Sequence, residues 1–343
     1  MRLFLIPVLI FILLSVGDSQ SQEARDYYER GVRKAEKHNL KGAIIDFTKA
    51  IELDTNFQDA YYNRGLLFFK TNRPENALAD FSKSILLNPR DFDSYIMRGQ
   101  VFTELKKPEL CVIDFTAAIQ LKPDSREGYF SRAAAYTEMR LYNDALADYR
   151  KCIDMDGADA ESYYLSGNIL RKTARNDEAL MNYEKAVELK SDYAEAYLAI
   201  GNIHRSRKSN EKALLYYNYA IKYNPELFEA YNNRGNVHLD NGNYTEAVED
   251  FSMAIKLNKD YAFAYNNRGY AYLLSGETEK AKSDFDTSLK LNPVNAYLFR
   301  NLGHYYYAVK DFEKAKENWE KAVLLDYKLE KELGKYLNEL NKK

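Results

Sequence analysis

Asparagine recurs at two fixed places in this sequence. It stands two residues before a glycine at Asn63, Asn233, Asn267 and Asn301, and one residue after a glycine at Asn168, Asn202 and Asn236. The two places are three residues apart, so on a helix they share one face. An amide carries both donors and an acceptor, and a row of them is able to pair with either group of a passing peptide backbone. Asn232 and Asn266 stand at the edge of the row and are expected to join it. The competing expectation is that these amides solvate an open face or cap neighbouring helices.

Other candidate chemistry is thinner. His204 and His238 share a place filled elsewhere by Phe68, Tyr136, Tyr272 and Tyr306, so they read as substitutes for a buried tyrosine rather than as zinc ligands. Cys111 and Cys152 occupy small-residue places on different helical turns, which argues for buried thiols and against a disulfide. Asp154-Met155-Asp156-Gly157-Ala158-Asp159 only loosely matches a calcium loop: its glycine comes two residues early and the distal glutamate is missing. Asn243-Tyr244-Thr245 is a formal glycosylation sequon. Arg171, Lys172, Arg175, Arg205, Arg207 and Lys208 form a local basic cluster, either solvated loop charge or the mark of an acidic partner segment. There is no phosphate-cradling glycine loop, nucleophile elbow or His-Glu-x-x-His helix. The expectation is a non-enzyme with no cofactor and no metal.

The elements that position the asparagines follow from a period. Gly31, Gly65, Gly99, Gly167, Gly201, Gly235, Gly269 and Gly303 keep a step of 34, and Ala133 fills the one gap. An aromatic precedes each glycine place by four (Tyr27 to Phe299). A small residue follows it by twelve (Ala43 to Ala315), an aromatic by sixteen (Phe47 to Trp319) and another small residue by nineteen (Ala50 to Ala322). Spacings of three, four and seven are helical, not strand-like. A helical glycine costs about 1 kcal/mol against alanine, so it needs a packing reason. The expected reason is close approach to the alanine of a second helix. Pro89, Pro123, Pro225 and Pro293 close units because proline cannot continue a helix, and segments such as Ser275-Gly276-Glu277 make the turns. Each unit reads as an antiparallel helix pair.

The pattern resembles the tetratricopeptide-repeat family in its aromatic, Gly, Tyr, Ala, Phe, Ala and Pro signature. The resemblance runs over nine units: 24–57, 58–91, 92–125, 126–159, 160–193, 194–227, 228–261, 262–295 and 296–329. It implies an all-α, right-handed superhelical solenoid whose first helices line a concave groove, on the order of 80 Å long at about 10 Å per helix. In similar proteins, notably the repeat arm of O-linked N-acetylglucosamine transferases, asparagine ladders grip peptide backbones. Repeat domains that clamp acidic chaperone tails need a lysine at the second place of a unit. Here that place holds Asp59, Asp93, Glu127, Glu161, Glu195 and Glu229, which the helix macrodipole favours, so a chaperone clamp is not expected.

The ends carry separate signals. Met1-Arg2 precedes an apolar run, Leu3 to Val16, and a small polar stretch follows. That is the layout of a secretory signal peptide over 1–19, with cleavage near 17–21. An exported protein of the periplasm, cell envelope or secreted fraction is expected, with membrane attachment only if the segment stays uncleaved. Leu329, Leu333, Tyr336, Leu337 and Leu340 share one helical face, so 330–343 is read as the cap that a terminal repeat needs. The net charge of −2, with acids and bases interspersed, argues against nucleic-acid binding. The functional expectation is a monomeric scaffold that binds a protein or peptide partner in the groove. The alternative is a self-associating structural spacer of the cell envelope.

Overall fold

The structure, a computed structural model, describes residues 5–155 and 159–340, with side chains from residue 19 onward. Among these residues the only regular elements are helices, and they form two compact units, Met1–Ile169 and Leu170–Lys343. The first unit holds α1 (Leu5–Glu36) and α2 (Leu40–Leu53), α3 (Gln58–Lys70) and α4 (Pro74–Leu87), α5 (Phe92–Glu104) and α6 (Pro108–Leu121), and α7 (Arg126–Glu138) and α8 (Tyr142–Met155). It ends within α9 (Ala160–Lys172). The second unit holds α10 (Asn176–Leu189), α11 (Ala194–Ser206) and α12 (Asn210–Tyr223), then α13 (Phe228–Asp240) and α14 (Tyr244–Leu257). It goes on through α15 (Ala262–Leu274) and α16 (Thr278–Leu291), α17 (Ala296–Ala308) and α18 (Phe312–Leu325), and finishes with α19 (Glu330–Leu340). The all-α helix-pair repeat expected from the sequence is therefore the fold.

The glycine column has a different packing reason from the one expected. A Cβ placed at Gly31 would lie 2.7 Å from Phe47 Cε1, and one at Gly201 would lie 2.6 Å from Tyr217 Cε1. The residue that chiefly needs the space is thus the aromatic ring sixteen places on, and at Gly269 the second-helix alanine stands close as well, with Ala281 O 3.2 Å from the added Cβ. The ring edge lies on bare backbone, which lets it sit fully inside the pair. Phe47, Phe81, Phe115 and Tyr149 in the first unit, and Tyr183, Tyr217, Phe251, Phe285 and Trp319 in the second, are all buried. Each such ring contributes about 2–3 kcal/mol through burial.

Two backbone devices turn the chain at fixed places. Every first helix with a described turn ends on a left-handed residue: His38, Asn72, Lys106, Arg140, Ala174, Lys208, Gly242, Gly276 and Lys310. The next N–H reaches back to close the helix end, as in Arg73 to Phe68 O and Glu277 to Tyr272 O, at 2.9 and 2.8 Å. That is the Schellman arrangement. After the second helices, side-chain oxygens of Asp54, Asn88, Asn224, Asn258, Asn292 and Asp326 accept from the backbone two residues on, the Asx turn that reverses the chain.

At the C-terminal end, Leu329 and Leu333 are buried against Leu302, Phe299 and Trp319. α19 thereby covers the last core, and Tyr336, Leu337 and Leu340 extend the contact. At the other end α1 runs unbroken from Leu5 into the first pair. Among the described residues no helix is long and apolar enough to cross a membrane.

Candidate functional site

In the second unit the first helices α11, α13, α15 and α17 bring the asparagine columns together, and the amides pair across helices. Asn233 Nδ2 donates to Asn202 Oδ1 at 2.8 Å, Asn267 Nδ2 to Asn232 Oδ1 at 3.0 Å, and Asn301 Nδ2 to Asn266 Oδ1 at 3.0 Å. Within a helix, Asn232 Nδ2 donates to Asn233 Oδ1 and Asn266 Nδ2 to Asn267 Oδ1. Asn232, Asn266 and Asn301 are buried by this arrangement. Their amides are committed to neighbouring repeats, a role that neither sequence-level expectation contained. Asn202, Asn233, Asn236 and Asn267 stay half-buried and reach the surface. Asn63 and Asn168 belong to the first unit, where Asn63 Nδ2 donates to Tyr28 Oη at 3.0 Å and to Asp59 O at 2.9 Å.

Beside this row lies a cavity of about 670 Å³ bounded by the first helices of the second unit and the residue before α15. Asn232, Asn236, Asn266 and Asn267 contribute its amides, and Tyr261, Phe263, Tyr270 and Tyr297 its rings. Phe263 and Tyr297 are 45% and 48% exposed. They occupy the second place of their units, where the preceding units carry acids from Asp59 to Glu229. The break in that acidic column is the sequence signal that marks this wall. A second cavity of about 540 Å³ adjoins it, lined by Arg171, Asn202, Ser206, Lys208 and Asn233, and the two share Arg205 and Asp240. Both volumes suit a few side chains of a bound segment.

The basic cluster divides in two. Arg207 pairs with Asp177 and Arg175 with Glu178, each at 2.5 Å. Arg205 lies 3.5 Å from Asp240, and its Nε is buried without a hydrogen-bond partner. Arg171 and Lys208 line the second cavity and have no ion-pair partner among the described residues.

A further recurring pair escaped the sequence analysis. The residue before the glycine is arginine in six units, and each grips a buried aspartate sixteen residues on with two parallel bonds. Arg64 Nε and Nη2 meet Asp80 at 2.8 and 2.7 Å, and Arg268 Nε and Nη2 meet Asp284 at 2.8 Å each. Arg30–Asp46, Arg98–Asp114, Arg132–Asp148 and Arg234–Asp250 repeat the geometry. In five of the six, the free nitrogen reaches the preceding second helix, as Arg64 Nη1 does to Thr48 Oγ1 at 3.1 Å. The carboxylate hydrogen bond raises Arg98, Arg132, Arg234 and Arg268 above the ordinary guanidinium value. The remaining units lose both partners together, as Ser166/Asn182, Ile200/Tyr216 and Leu302/Asn318. That joint loss was the available signal.

The remaining candidates are structural. His204 is buried and stacks on Tyr216 with 5.3 Å between centroids, and burial lowers its pKa. Cys111 and Cys152 are buried free thiols. Of the calcium-like segment, residues 156–158 lie outside the described residues. Asp159 is buried and bonded to Arg126 at 2.8 Å and to Ser162. Burial pushes its carboxyl up, and those hydrogen bonds more than offset this, leaving it below its usual value. No group of side chains able to hold a metal ion occurs among the described residues.

Family comparisons fit this geometry. Models described as Tetratricopeptide repeat match residues 59–91, 228–261 and 262–295, and also 92–125, 127–159 and 299–328. One described as TPR repeat matches 167–205 and 201–242. The chain belongs to the tetratricopeptide-repeat family. Such proteins are in general protein-interaction scaffolds that bind protein or peptide partners, and the fold is typically non-enzymatic. Among solved structures, the chain is similar to a tetratricopeptide-repeat protein from Parabacteroides merdae (18% identity, TM-score 0.56, covering 78% of this chain and 98% of that one). It is also similar to the Cut9–Hcn1 hetero-tetramer of the APC/C (15% identity, TM-score 0.56, covering 89% and 73%). A third is Pseudomonas aeruginosa PilF (17% identity, TM-score 0.55, covering 62% and 97%). At these identities the likeness is one of fold. No curated protein matches the chain.

Proposed function

We propose that this tetratricopeptide-repeat chain is an exported, non-enzymatic scaffold that binds an extended segment of a protein partner along the first helices of its second unit. The observation that carries the reading is the wall of Phe263 and Tyr297, two large rings left about half exposed above the half-buried amides of Asn236 and Asn267. Rings of this kind give contact area at low entropy cost and are favoured at binding surfaces. The amides supply pairing groups for a peptide backbone: Asn236 Nδ2 is held by Asn232 O at 3.0 Å, so its Oδ1 serves as an acceptor. Among the nine asparagines, Asn202, Asn236 and Asn267 are those best placed to take part.

The test is capture of an array of random short peptides by the full chain. Phe263→Ala with Tyr297→Ala should reduce capture about tenfold or more, with the far-ultraviolet circular dichroism unchanged. Undiminished capture by the double variant contradicts the reading. The proposal of export rests on the apolar run from Leu3 to Val16 and the polar stretch after it. Mass spectrometry of the mature chain from its native cell should find a new N-terminus near residues 17–21.

Self-association is the second reading. Ile45 and Ile113 hold the same place on α2 and α6 and are 61% and 62% exposed. Concentration-dependent light scattering that Ile45→Lys with Ile113→Lys abolishes would favour it.

A further inference from the structure

We propose that the tyrosine cluster of α11 and α12 is an oxidative coupling site, at which oxidation driven by a peroxide bonds Tyr197 to Tyr219 or Tyr223. The site lies outside both cavities, and its chemistry is independent of peptide binding.

Unit 194–227 departs from the others at three places at once. The place of Tyr216 holds Asp or Asn in the eight other units, that of Tyr219 holds Lys, Ala, Met or Thr, and that of Tyr223 holds Leu or Met. All three changes bring a phenol to one ring. The centroid of Tyr197, four places before Gly201, lies 5.2 Å from Tyr219, 5.6 Å from Tyr223 and 6.3 Å from Tyr216. In the six units that keep the arginine–aspartate pair, the guanidinium lies over the equivalent ring, as Arg64 does over Tyr61 at 5.7 Å. Here Ile200 takes the place of the arginine, and the three tyrosines gather on the ring instead.

The geometry favours coupling over ligand binding. A flat ligand held between two rings needs two van der Waals gaps, about 7 Å in all. Tyr197 and Tyr223 are 5.6 Å apart with planes 14° from parallel, which leaves no slot between them. Offset stacking at this distance brings ring edges together, and with them the carbons ortho to each hydroxyl. Those carbons carry much of the unpaired electron of a phenoxyl radical. Tyr219 and Tyr223 are each 37% exposed and open to an oxidant, while Tyr197 is half-buried against both.

The reaction balances with hydrogen peroxide as oxidant and a haem peroxidase as catalyst. Each of two phenols gives up one electron and one proton, and the two phenoxyl radicals join by an ortho carbon–carbon bond. The ortho hydrogens then move to the oxygens, which re-forms both hydroxyls. In sum each tyrosine loses one hydrogen, and the peroxide is reduced to two waters. The new bond ties α11 to α12 and restrains the unfolded chain as a disulfide does.

The experiment treats the full chain with hydrogen peroxide and a haem peroxidase. It follows the blue fluorescence of bityrosine and maps the linked peptides by mass spectrometry. The expected product is monomer-sized, with Tyr197 joined to Tyr219 or Tyr223. Its yield should hold on dilution, because the two rings are already placed together. Tyr197→Phe keeps the ring without the phenol and should abolish the product. Tyr219→Phe with Tyr223→Phe should do the same, and guards against a defect peculiar to the first variant. Tyr61→Phe, the same place in unit 58–91, should leave the yield unchanged.

Exposure alone favours a different outcome, since Tyr327 is 73% exposed and the chain has 30 tyrosines to compete. Linkage between chains through Tyr327, or coupling spread over many tyrosines, would overturn the proposal. So would a yield that Tyr197→Phe leaves intact, or a treated chain that forms no bityrosine.

Discussion

Arg234 grips Asp250 with Nε to Oδ2 at 2.9 Å and Nη2 to Oδ1 at 2.6 Å, while its Nη1 reaches Asn218 Oδ1 at 2.7 Å. One side chain thus ties α13 to its own second helix, α14, and to the preceding one, α12. Removing the carboxylate with Asp250→Ala leaves the guanidinium half-buried and uncompensated, which should cost about 3 kcal/mol. The chain contains its own repair, since unit 194–227 carries Ile200 and Tyr216 at the equivalent places. Arg234→Ile with Asp250→Tyr should therefore be more stable than Asp250→Ala by about 1 kcal/mol or more. Urea midpoints of the single and double variants decide this.

The left-handed residue that ends each first helix is glycine at Gly242 and Gly276 but alanine at Ala174, where φ is 60°. An alanine Cβ is strained in that region and glycine is not. Ala174→Gly should raise stability by about 0.5–1 kcal/mol despite the added freedom of the unfolded chain. Asn72→Gly should gain less, because asparagine tolerates this conformation. Thermal unfolding of the two variants side by side is the check.

His304 gives the fold a pH dependence. It lies among Trp319, Tyr336 and Glu332 under the C-terminal cap, and burial, reinforced by Arg300, lowers its pKa from 6.5 to about 4. Between those values the unfolded chain takes up a proton that the folded chain refuses. Stability from this group is therefore complete above about pH 6.5 and is lost as pH falls toward 4. The loss is at most about 3 kcal/mol. His304→Gln should be the less pH-sensitive protein between pH 7 and 4 in denaturant titrations. A difference between the two proteins that stays constant over that range would contradict the assignment.

The amide row predicts a cost of its own. Asn202→Ala strips the acceptor from the buried Tyr217 hydroxyl and from Asn233 Nδ2, and should destabilise the second unit by about 1–3 kcal/mol. Asn236→Ala removes only one bond to Asn232 O and should cost under 1 kcal/mol by the net worth of a hydrogen bond. Hydrogen exchange of α11 and α13 amides would register the contrast.

What the sequence disclosed followed how tightly packing restricts residue type. The place of Gly201 is legible because Tyr217 leaves no room for a side chain there. The aromatic places are legible because only a large ring fills the interior of a helix pair. The left-handed place at Lys106 or Arg140 was invisible, because the backbone bonds that hold the turn outweigh the modest strain of a side chain there and so admit many residue types. The asparagines fell between these cases. Their spacing fixed a shared face, but a surface amide gives no sign whether a neighbouring helix or the solvent will take its hydrogen bonds. Asn301 is buried and gives its amide to Asn266 of the neighbouring helix, whereas Asn236 bonds within its own helix and stays half-buried. Phe263 and Tyr297 were in plain view as breaks in an acidic column. They gained meaning only when the structure left their rings exposed beside a cavity.

The most direct test of peptide binding in the second unit is photo-crosslinking. The full chain is irradiated with random short peptides that carry a benzophenone side chain, and the adducts are mapped by mass spectrometry. The account predicts adducts on α11, α13, α15 and α17, concentrated around Asn236, Phe263 and Tyr297. Adducts confined to the second helices, such as α12 and α14, would contradict it.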